Sequence, residues 1–242
     1  MKYVGSKNKL GKTLSPIIQS YINEKTEHYI EPFVGGANMI DKIEFDKKVG
    51  YDINKYLISL LNEMKKNTVF KKSITKDEYM LVRDNKELYP DWIVGFIGFC
   101  GSYNGKFFGG YAGNCNTKQG IRHYDQEAIR NIEKQRINIK NIEFKTMSFT
   151  DISRNDEIKN SVIYCDPPYR DTTKYSTSDF PYDDFYKWCI KLSKNNVVLI
   201  SEYSMPEDRF ECIWEKEHKT SLDKNNPNKK RIEKLFIVKG GK

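Results

Sequence analysis

Long apolar runs are missing from this chain. None of its 242 residues falls in a run of 18 consecutive apolar positions, and the opening MKYVGSKNKL lacks the apolar centre of a signal peptide. A protein without a membrane span, working in the cytoplasm, is expected. Cysteine is sparse and scattered: Cys100, Cys115, Cys165, Cys189 and Cys212 stand singly, with no CxxC pair. That pattern excludes a zinc ribbon and a disulfide framework and fits reduced thiols, mostly buried. The three histidines, His28, His123 and His218, form no ligand motif, so no metal is expected. No repeat of fixed period occurs either.

A true phosphate-binding loop is also lacking. GSKNKLGKT (residues 5–13) resembles GxxxxGK[ST], but five residues rather than four separate Gly5 from Gly11. Successive backbone N–H groups must curl around one phosphate, so the spacing matters, and residues 1–4 are too few for the strand that should lead in. Lys12 and Thr13 read as surface residues at the start of a helix.

What is present is a basic, aromatic-rich globular composition. Lys and Arg number 41 against 33 Asp and Glu, a formal +8, which suits a polyanionic partner or a basic solvated surface. Hydrophobic residues make up 38% and aromatics 13%, enough for a packed core. The length allows one large domain, or a core carrying a smaller insert.

Periodicity predicts a helix over residues 13–23. A short strand, residues 28–30, then breaks at Gly35-Gly36. A second strand ends at Asp52, and Asn54 can cap the helix that follows. There Leu57, Leu60, Leu61 and Met64 recur at the spacing of a buried helical face. Strand, glycine turn, helix, strand, acidic residue and helix is how a doubly wound α/β nucleotide-type site begins. From residue 70 to about 145 the pattern becomes ragged. TKDE (75–78) is a capping-box start, 92–99 an apolar helix or buried segment, and GSYNGKFFGGYAGNCNTKQG (101–120) a turn-rich stretch that suits a hairpin. YDQEAIRNIEKQ is helical, with Tyr124, Ala128, Ile129 and Ile132 on one face. Strand-like runs return at 161–165, 196–203 and 234–239, with a helix, DDFYKWCIKLS, between the first two.

SVIYCDPPY is the most informative stretch. An apolar strand delivers Asp166 to its carboxyl end, where open α/β sheets place ligands. Pro167 and Pro168 fix φ and lack N–H donors, leaving rigid carbonyl acceptors, and Tyr169 adds a flat ring. Such a set suits a planar ligand bearing an amino group. The same residues also suit a strand ending in a proline-rich turn with a capping aspartate, and by themselves they leave both readings open.

DPPY together with EPFVGG (31–36) resembles the S-adenosylmethionine-dependent amino-methyltransferases. The whole chain resembles the DNA adenine methyltransferase family, in the group whose cofactor loop precedes the target-recognition insert and whose DPPY loop follows it. KYVGSK, EPFVGG, YDINKYLISLLN, FKTMSFTDI, VIYCDPPY and NKKRIEKLFIVK carry the resemblance in that order. It implies an α/β fold with a doubly wound, Rossmann-like core sheet. Residues 1–69 and 146–242 would form the S-adenosyl-L-methionine-binding catalytic domain, and 70–145 a mainly helical, DNA-binding target-recognition insert.

The resemblance also assigns residues. Tyr3, where the family usually has Trp, and Lys7 would pack beside the methionine end of the cofactor. Phe33 and Gly35 belong to its glycine loop, in which Ala37 stands where the second pattern glycine would be. Asp52, 17 residues after Gly35, would accept the ribose hydroxyls. Ser148 and Phe149 would lie along the adenine. Asp166, also beside the cofactor, would with Pro167, Pro168 and Tyr169 hold the target amino group. Lys2, Tyr103, Asn104 and Lys106 are candidate DNA contacts, as are Lys229, Lys230 and Arg231 in a basic loop.

The implied reaction is methylation of the exocyclic N6 of a flipped-out adenine in double-stranded DNA. Cytosine, an RNA adenine or a protein glutamine are alternative acceptors, and a DNA-binding relative without catalysis is the alternative of another class. An Asn-x-Pro-Phe-Gly run typical of members reading GATC is absent, so the recognition sequence is not legible. A monomer without an obligate protein partner is expected, in a bacterial or phage-infected host cell.

Overall fold

Ser6 starts the first helix. Its hydroxyl accepts the Asn8 N–H at 3.2 Å, and α1 (Asn8–Gln19) follows. The helix therefore begins about a turn earlier than expected, and Lys12 and Thr13 lie inside it. The computed structural model describes residues 1–117, 120–152, 158–170, 180–219 and 230–241. Two compact units emerge, one of Met1–Pro16 with Val34–Met147, the other of Ile17–Phe33 with Ser148–Lys242. The short strands expected on either side of the glycine turn are β1 (His28–Glu31), in the second unit, and β2 (Lys48–Asp52), in the first.

In the first unit, α2 (Lys55–Met64) is capped as expected: the Asn54 side-chain oxygen accepts the Tyr56 and Leu57 N–H groups, both at 3.1 Å. Leu57, Leu60, Leu61 and Met64 are fully buried, each contributing about 1.5–3 kcal/mol through removal from water. Thr75 caps α3 (Lys76–Asp84) by accepting the Glu78 N–H at 3.2 Å. The apolar segment is α4 (Asp91–Cys100), buried from Val94 to Cys100 and packed on α2. A hairpin of β3 (Asn114–Thr117) and β4 (Gly120–His123) precedes α5 (Tyr124–Ile139). Then β5 (Glu143–Thr146) pairs in parallel with β2, Asp52 opposite Thr146.

The second unit is a five-stranded sheet in the order β1-β6-β7-β9-β8. After the short α6 (Phe149–Ile152) comes β6 (Ser161–Cys165), buried at every position as its apolar run requires. It pairs in parallel with β1 and with β7 (Val197–Glu202), and α7 (Tyr182–Ser193) lies between β6 and β7 in sequence. The sheet ends in the antiparallel strands β8 (Phe210–Lys219) and β9 (Lys230–Val238). The α/β, Rossmann-like class expected from the sequence is thus observed: parallel strands joined through helices, closed by an antiparallel hairpin.

The pattern alone did not indicate β5 or β8. Only Phe144 of β5 is buried. In β8 the register breaks between Cys212 and Trp214, which spoils the alternation that marks a half-buried strand. The last strand starts at Lys230 rather than 234, so Lys230 and Arg231 open β9 instead of lying in a loop. Among the described residues, no helix is long and apolar enough to cross a membrane.

Candidate active site

In the second unit β6 ends at Cys165 and hands over to Asp166, Pro167, Pro168 and Tyr169, at the carboxyl end of a parallel strand. Asp166 and Pro168 are half-buried, while Pro167 and Tyr169 are buried. Positions 168, 169 and 170 each have a partner. The Tyr182 hydroxyl donates to the Pro168 carbonyl at 2.9 Å, and the Tyr169 hydroxyl donates to Glu233. The Tyr203 ring meets Tyr169 edge-on, centroids 4.6 Å apart, and the Arg170 N–H reaches Glu202 at 3.4 Å. Burial first, then the charges of Asp166 and Glu233, hold the Tyr169 phenol well above its ordinary pKa, so it stays a neutral donor.

Glu202 and Glu233 are 2% and 3% exposed, and neither was singled out from the sequence. A signal existed. The period of two in β9 puts Glu233 on the face of Leu235, where an acidic residue is out of place unless it is bonded.

The aromatic residues expected near a cofactor also meet in this unit. Phe33 and Phe149 lie 5.6 Å apart, and both contact Phe180 and Phe185. Ser148 precedes α6, and its carbonyl accepts the Asp151 N–H at 3.0 Å.

In the first unit the glycine loop follows Val34, whose N–H binds the Tyr51 carbonyl at 2.8 Å. Gly35 has φ +47°, and a Cβ there would stand 2.9 Å from the Tyr3 ring. Its N–H donates to Asp52 Oδ2 at 3.2 Å, while Asp52 Oδ1 accepts the Asn54 N–H at 2.9 Å. Burial raises the Asp52 pKa against these hydrogen bonds. Two carboxylate oxygens offer about four acceptor directions, so room remains for two hydroxyl donors. Ala37 has φ +55°, a left-handed conformation that costs a non-glycine residue roughly 1–2 kcal/mol. The backbone thus keeps the glycine-like turn where the side chain departs from the family pattern. Lys7 is buried, and its carbonyl accepts the Leu10 and Gly11 N–H groups in the first turn of α1.

Four of the residues expected to touch DNA gather in the same unit. Gly105, with φ +65°, lets its loop come close to the Lys2 carbonyl, where a Cβ would stand at 2.3 Å. Beside it Tyr103 and Lys106 are exposed, and Asn104 takes φ +54°. Tyr103 packs edge-on against Tyr124. Lys2 binds Glu127 at 2.8 Å, and Arg122 grips the same carboxylate with two bonds at 2.6 and 2.8 Å. Those two cations hold Glu127 down to about 2, so it stays ionised. Arg122, on the hairpin and 4.6 Å from the Tyr124 ring centroid, was not expected from the sequence. Lys229 lies outside the described residues, and Lys230 and Arg231 pair through their backbones with β8.

Residues 3–202 match the family model described as D12 class N6 adenine-specific DNA methyltransferase. The chain is similar to the type II methyltransferase M.FokI of Planomicrobium okeanokoites, 26% identical over an aligned length of 193 residues that takes in 72% of this chain and 29% of that protein. It therefore spans less than a third of that relative. Among solved structures, the rRNA methyltransferase aviRa from Streptomyces viridochromogenes has a TM-score of 0.46 at 10% identity, covering 98% of this chain and 86% of that one. An rRNA methylase from Streptococcus thermophilus has a TM-score of 0.39 at 7% identity, covering 93% and 94%. Matched over most of its length, the chain belongs to the D12 class N6 adenine-specific DNA methyltransferase family.

Proposed function

We propose that this chain transfers a methyl group from S-adenosyl-L-methionine to the exocyclic N6 amino group of an adenine flipped out of double-stranded DNA. The observation that carries the reading is Asp166-Pro167-Pro168-Tyr169 at the carboxyl end of β6, in a chain of this family. Residues of each unit suit parts of the cofactor. The Asp52 carboxylate, already oriented by two backbone N–H groups, suits ribose hydroxyls, and Gly35 keeps side-chain bulk away from the loop. Phe33 and Phe149 offer rings for an adenine, and Tyr3 and Lys7 are assigned to the methionine end. When bound, the cofactor supplies an electrophilic methyl group on a sulfonium.

The amino nitrogen of adenine is a poor nucleophile because its lone pair is delocalised into the ring. Asp166 and the Pro167 carbonyl accept its two hydrogens, which lets the nitrogen pyramidalise and turn its lone pair outward. The Pro168 carbonyl is already taken by Tyr182, so Pro167 is the better-placed second acceptor. Orientation and preorganised electrostatics of this kind supply several kcal/mol each. A base inside a duplex cannot reach such a corner, and flipping costs a few kcal/mol. Tyr169, with its hydroxyl anchored on Glu233, recovers part of this through contact with the extruded base.

Residues 70–145 form the target reader in this proposal. Lys2, Tyr103, Asn104 and Lys106 face DNA there, and Lys229, Lys230 and Arg231 contact the phosphate backbone elsewhere. The proposed phosphate contacts predict binding that weakens steeply with salt. The protein acts as a cytoplasmic monomer.

The test is to incubate purified protein with unmethylated genomic DNA and S-adenosylmethionine and to map modified bases by long-read sequencing. N6-methyladenine confined to one short motif is expected. Cofactor binding without DNA modification would move the acceptor to RNA or protein, and loss of both would leave a DNA-binding relative without catalysis.

A further inference from the structure

We propose that Gln135, on α5, is a positioning residue for the cofactor loop, an inference that rests on the methyl-donor reading above. The residue is 6% exposed. The Nε2 donates to the Gly36 carbonyl at 3.1 Å, to the Ala37 carbonyl at 2.9 Å and to Asp41 Oδ2 at 2.8 Å. Its Oε1 accepts from the Met1 nitrogen, which also donates to Asn38 at 3.0 Å. Two amide hydrogens thus serve three acceptors, two of them consecutive carbonyls of the loop.

Those carbonyls belong to the part of the loop that most needs holding. Gly35 and Ala37 both take left-handed φ, +47° and +55°, on either side of Gly36. Glycine takes such a φ freely, but for Ala37 it persists only where the surroundings over-determine it. Within the loop Ala37 has its N–H bond to the Val34 carbonyl at 2.9 Å, and Gln135 adds the restraint from outside. The consequence passes along a short path. The Gly36 carbonyl shares its peptide plane with the Ala37 N–H, which binds the Val34 carbonyl, and that carbonyl shares its plane with the Gly35 N–H that orients the Asp52 carboxylate.

The polar side chain sits three residues after Ile132 and four before Ile139, among buried apolar positions of α5. That placement removes Gln135 from solvent, so its bonds to the loop are made without competition from water. Glu127, eight residues earlier on the same helix, holds Arg122 and Lys2. The helix proposed to support the target reader therefore also supports the cofactor loop.

The test compares Gln135→Leu, which removes every polar bond at similar volume, with Gln135→Glu, which keeps the acceptor toward Met1 and loses the donors. Titration of each purified protein with S-adenosylmethionine, without DNA, should give a dissociation constant raised about tenfold or more in both variants. DNA affinity without cofactor should stay within about twofold of the unsubstituted protein, and kcat at saturating cofactor should fall far less than kcat/KM for the cofactor. Wild-type-like cofactor affinity in Gln135→Glu would show that the donated bonds do not position the loop. Equal losses of cofactor and DNA affinity would reduce Gln135 to a folding contact and overturn the inference as well. If Gln135→Leu does not fold, Gln135→Glu decides alone. Failure of the unsubstituted protein to bind cofactor would instead overturn the methyl-donor reading.

Discussion

After β6 the chain is held by side chains, whereas the loop after β1 is held through its own backbone. Tyr182 takes the Pro168 carbonyl, Glu233 the Tyr169 hydroxyl and Tyr203 the Tyr169 ring edge, so the proposed catalytic corner is fixed by side chains from other elements, two of them acting on the Tyr169 side chain. In the glycine loop the partners are the Gly35 N–H and the Gly36 and Ala37 carbonyls, and positive φ angles set the shape. A side-chain corner can lose one function while keeping its fold. A loop held through its backbone changes geometry when a substitution adds bulk or removes one of those bonds.

The largest effect should come from the corner. Asp166→Ala removes one of the two acceptors proposed for the amino hydrogens, and methylation should fall by about 10³-fold or more, the scale at which a preorganised electrostatic contact works. Its melting temperature and cofactor affinity should change little, because the neighbouring bonds of Pro168 and Tyr169 do not pass through Asp166. Initial rates with labelled cofactor, paired with a cofactor titration, check both halves. Normal turnover would break the assignment of the corner.

Gly35→Ala should do the reverse of that separation, harming fold and cofactor affinity together. The new methyl would stand 2.9 Å from the Tyr3 ring on a backbone with φ +47°, so strain and overlap add. A loss of about 1–3 kcal/mol of stability is expected in denaturant titration. Cofactor affinity should drop roughly tenfold or more, since the Gly35 N–H that orients Asp52 moves with the loop. Loss of affinity without loss of stability would sharpen the comparison differently, by showing that the ring of Tyr3 yields and only the N–H matters.

Legibility in the sequence followed the same division. The corner was readable because its chemistry lies in consecutive letters after an apolar strand. The supports were not, since Tyr182, Glu202, Tyr203 and Glu233 come from α7, β7, the segment after β7 and β9, and only folding brings them to Tyr169. In the loop, the order of strand, glycine turn, strand and acidic residue marked Gly35 and Asp52, and the family resemblance supplied the roles expected of them. Gln135 was passed over, although a glutamine between Ile132 and Ile139 on a buried helical face is a usable signal. Fold class survived the missed strands because β1, β6 and β7 carry parallel pairing among themselves, while β5 and β8 contribute short or irregular alternation.

A smaller and continuous effect should come from pH. Burial holds the Asp52 pKa above its ordinary 3.8, so the folded state takes up the proton more readily than the unfolded chain. The group therefore favours folding most at low pH, and that contribution is lost as pH rises through the raised value. In the ribose-binding role proposed for Asp52, cofactor binding runs the other way, since the hydroxyls need the carboxylate as acceptor. Affinity should weaken as pH falls through the raised pKa, at a higher pH than an ordinary aspartate would show. In Asp52→Asn that acid-side decline should vanish on a weaker baseline. Calorimetric titrations across the acidic range measure it, and an unchanged decline in the variant would assign the titration to another group.

Ala37→Gly should have the smallest effect, and its smallness is the point. Glycine relieves the left-handed backbone, worth roughly 1–2 kcal/mol, but loses a methyl that is fully buried, worth about 0.8 kcal/mol, and adds about 0.5–1 kcal/mol of chain entropy to the unfolded state. These terms nearly cancel, so stability should stay within about 0.5 kcal/mol and cofactor affinity within about twofold. A small net change next to the large loss in Gly35→Ala would mean that the loop carries its shape in bonds to Gln135 and Val34 rather than in a glycine at position 37. A gain of cofactor affinity well beyond twofold would mean instead that the alanine holds the loop away from its best geometry, and the backbone would then be the tunable half of the site.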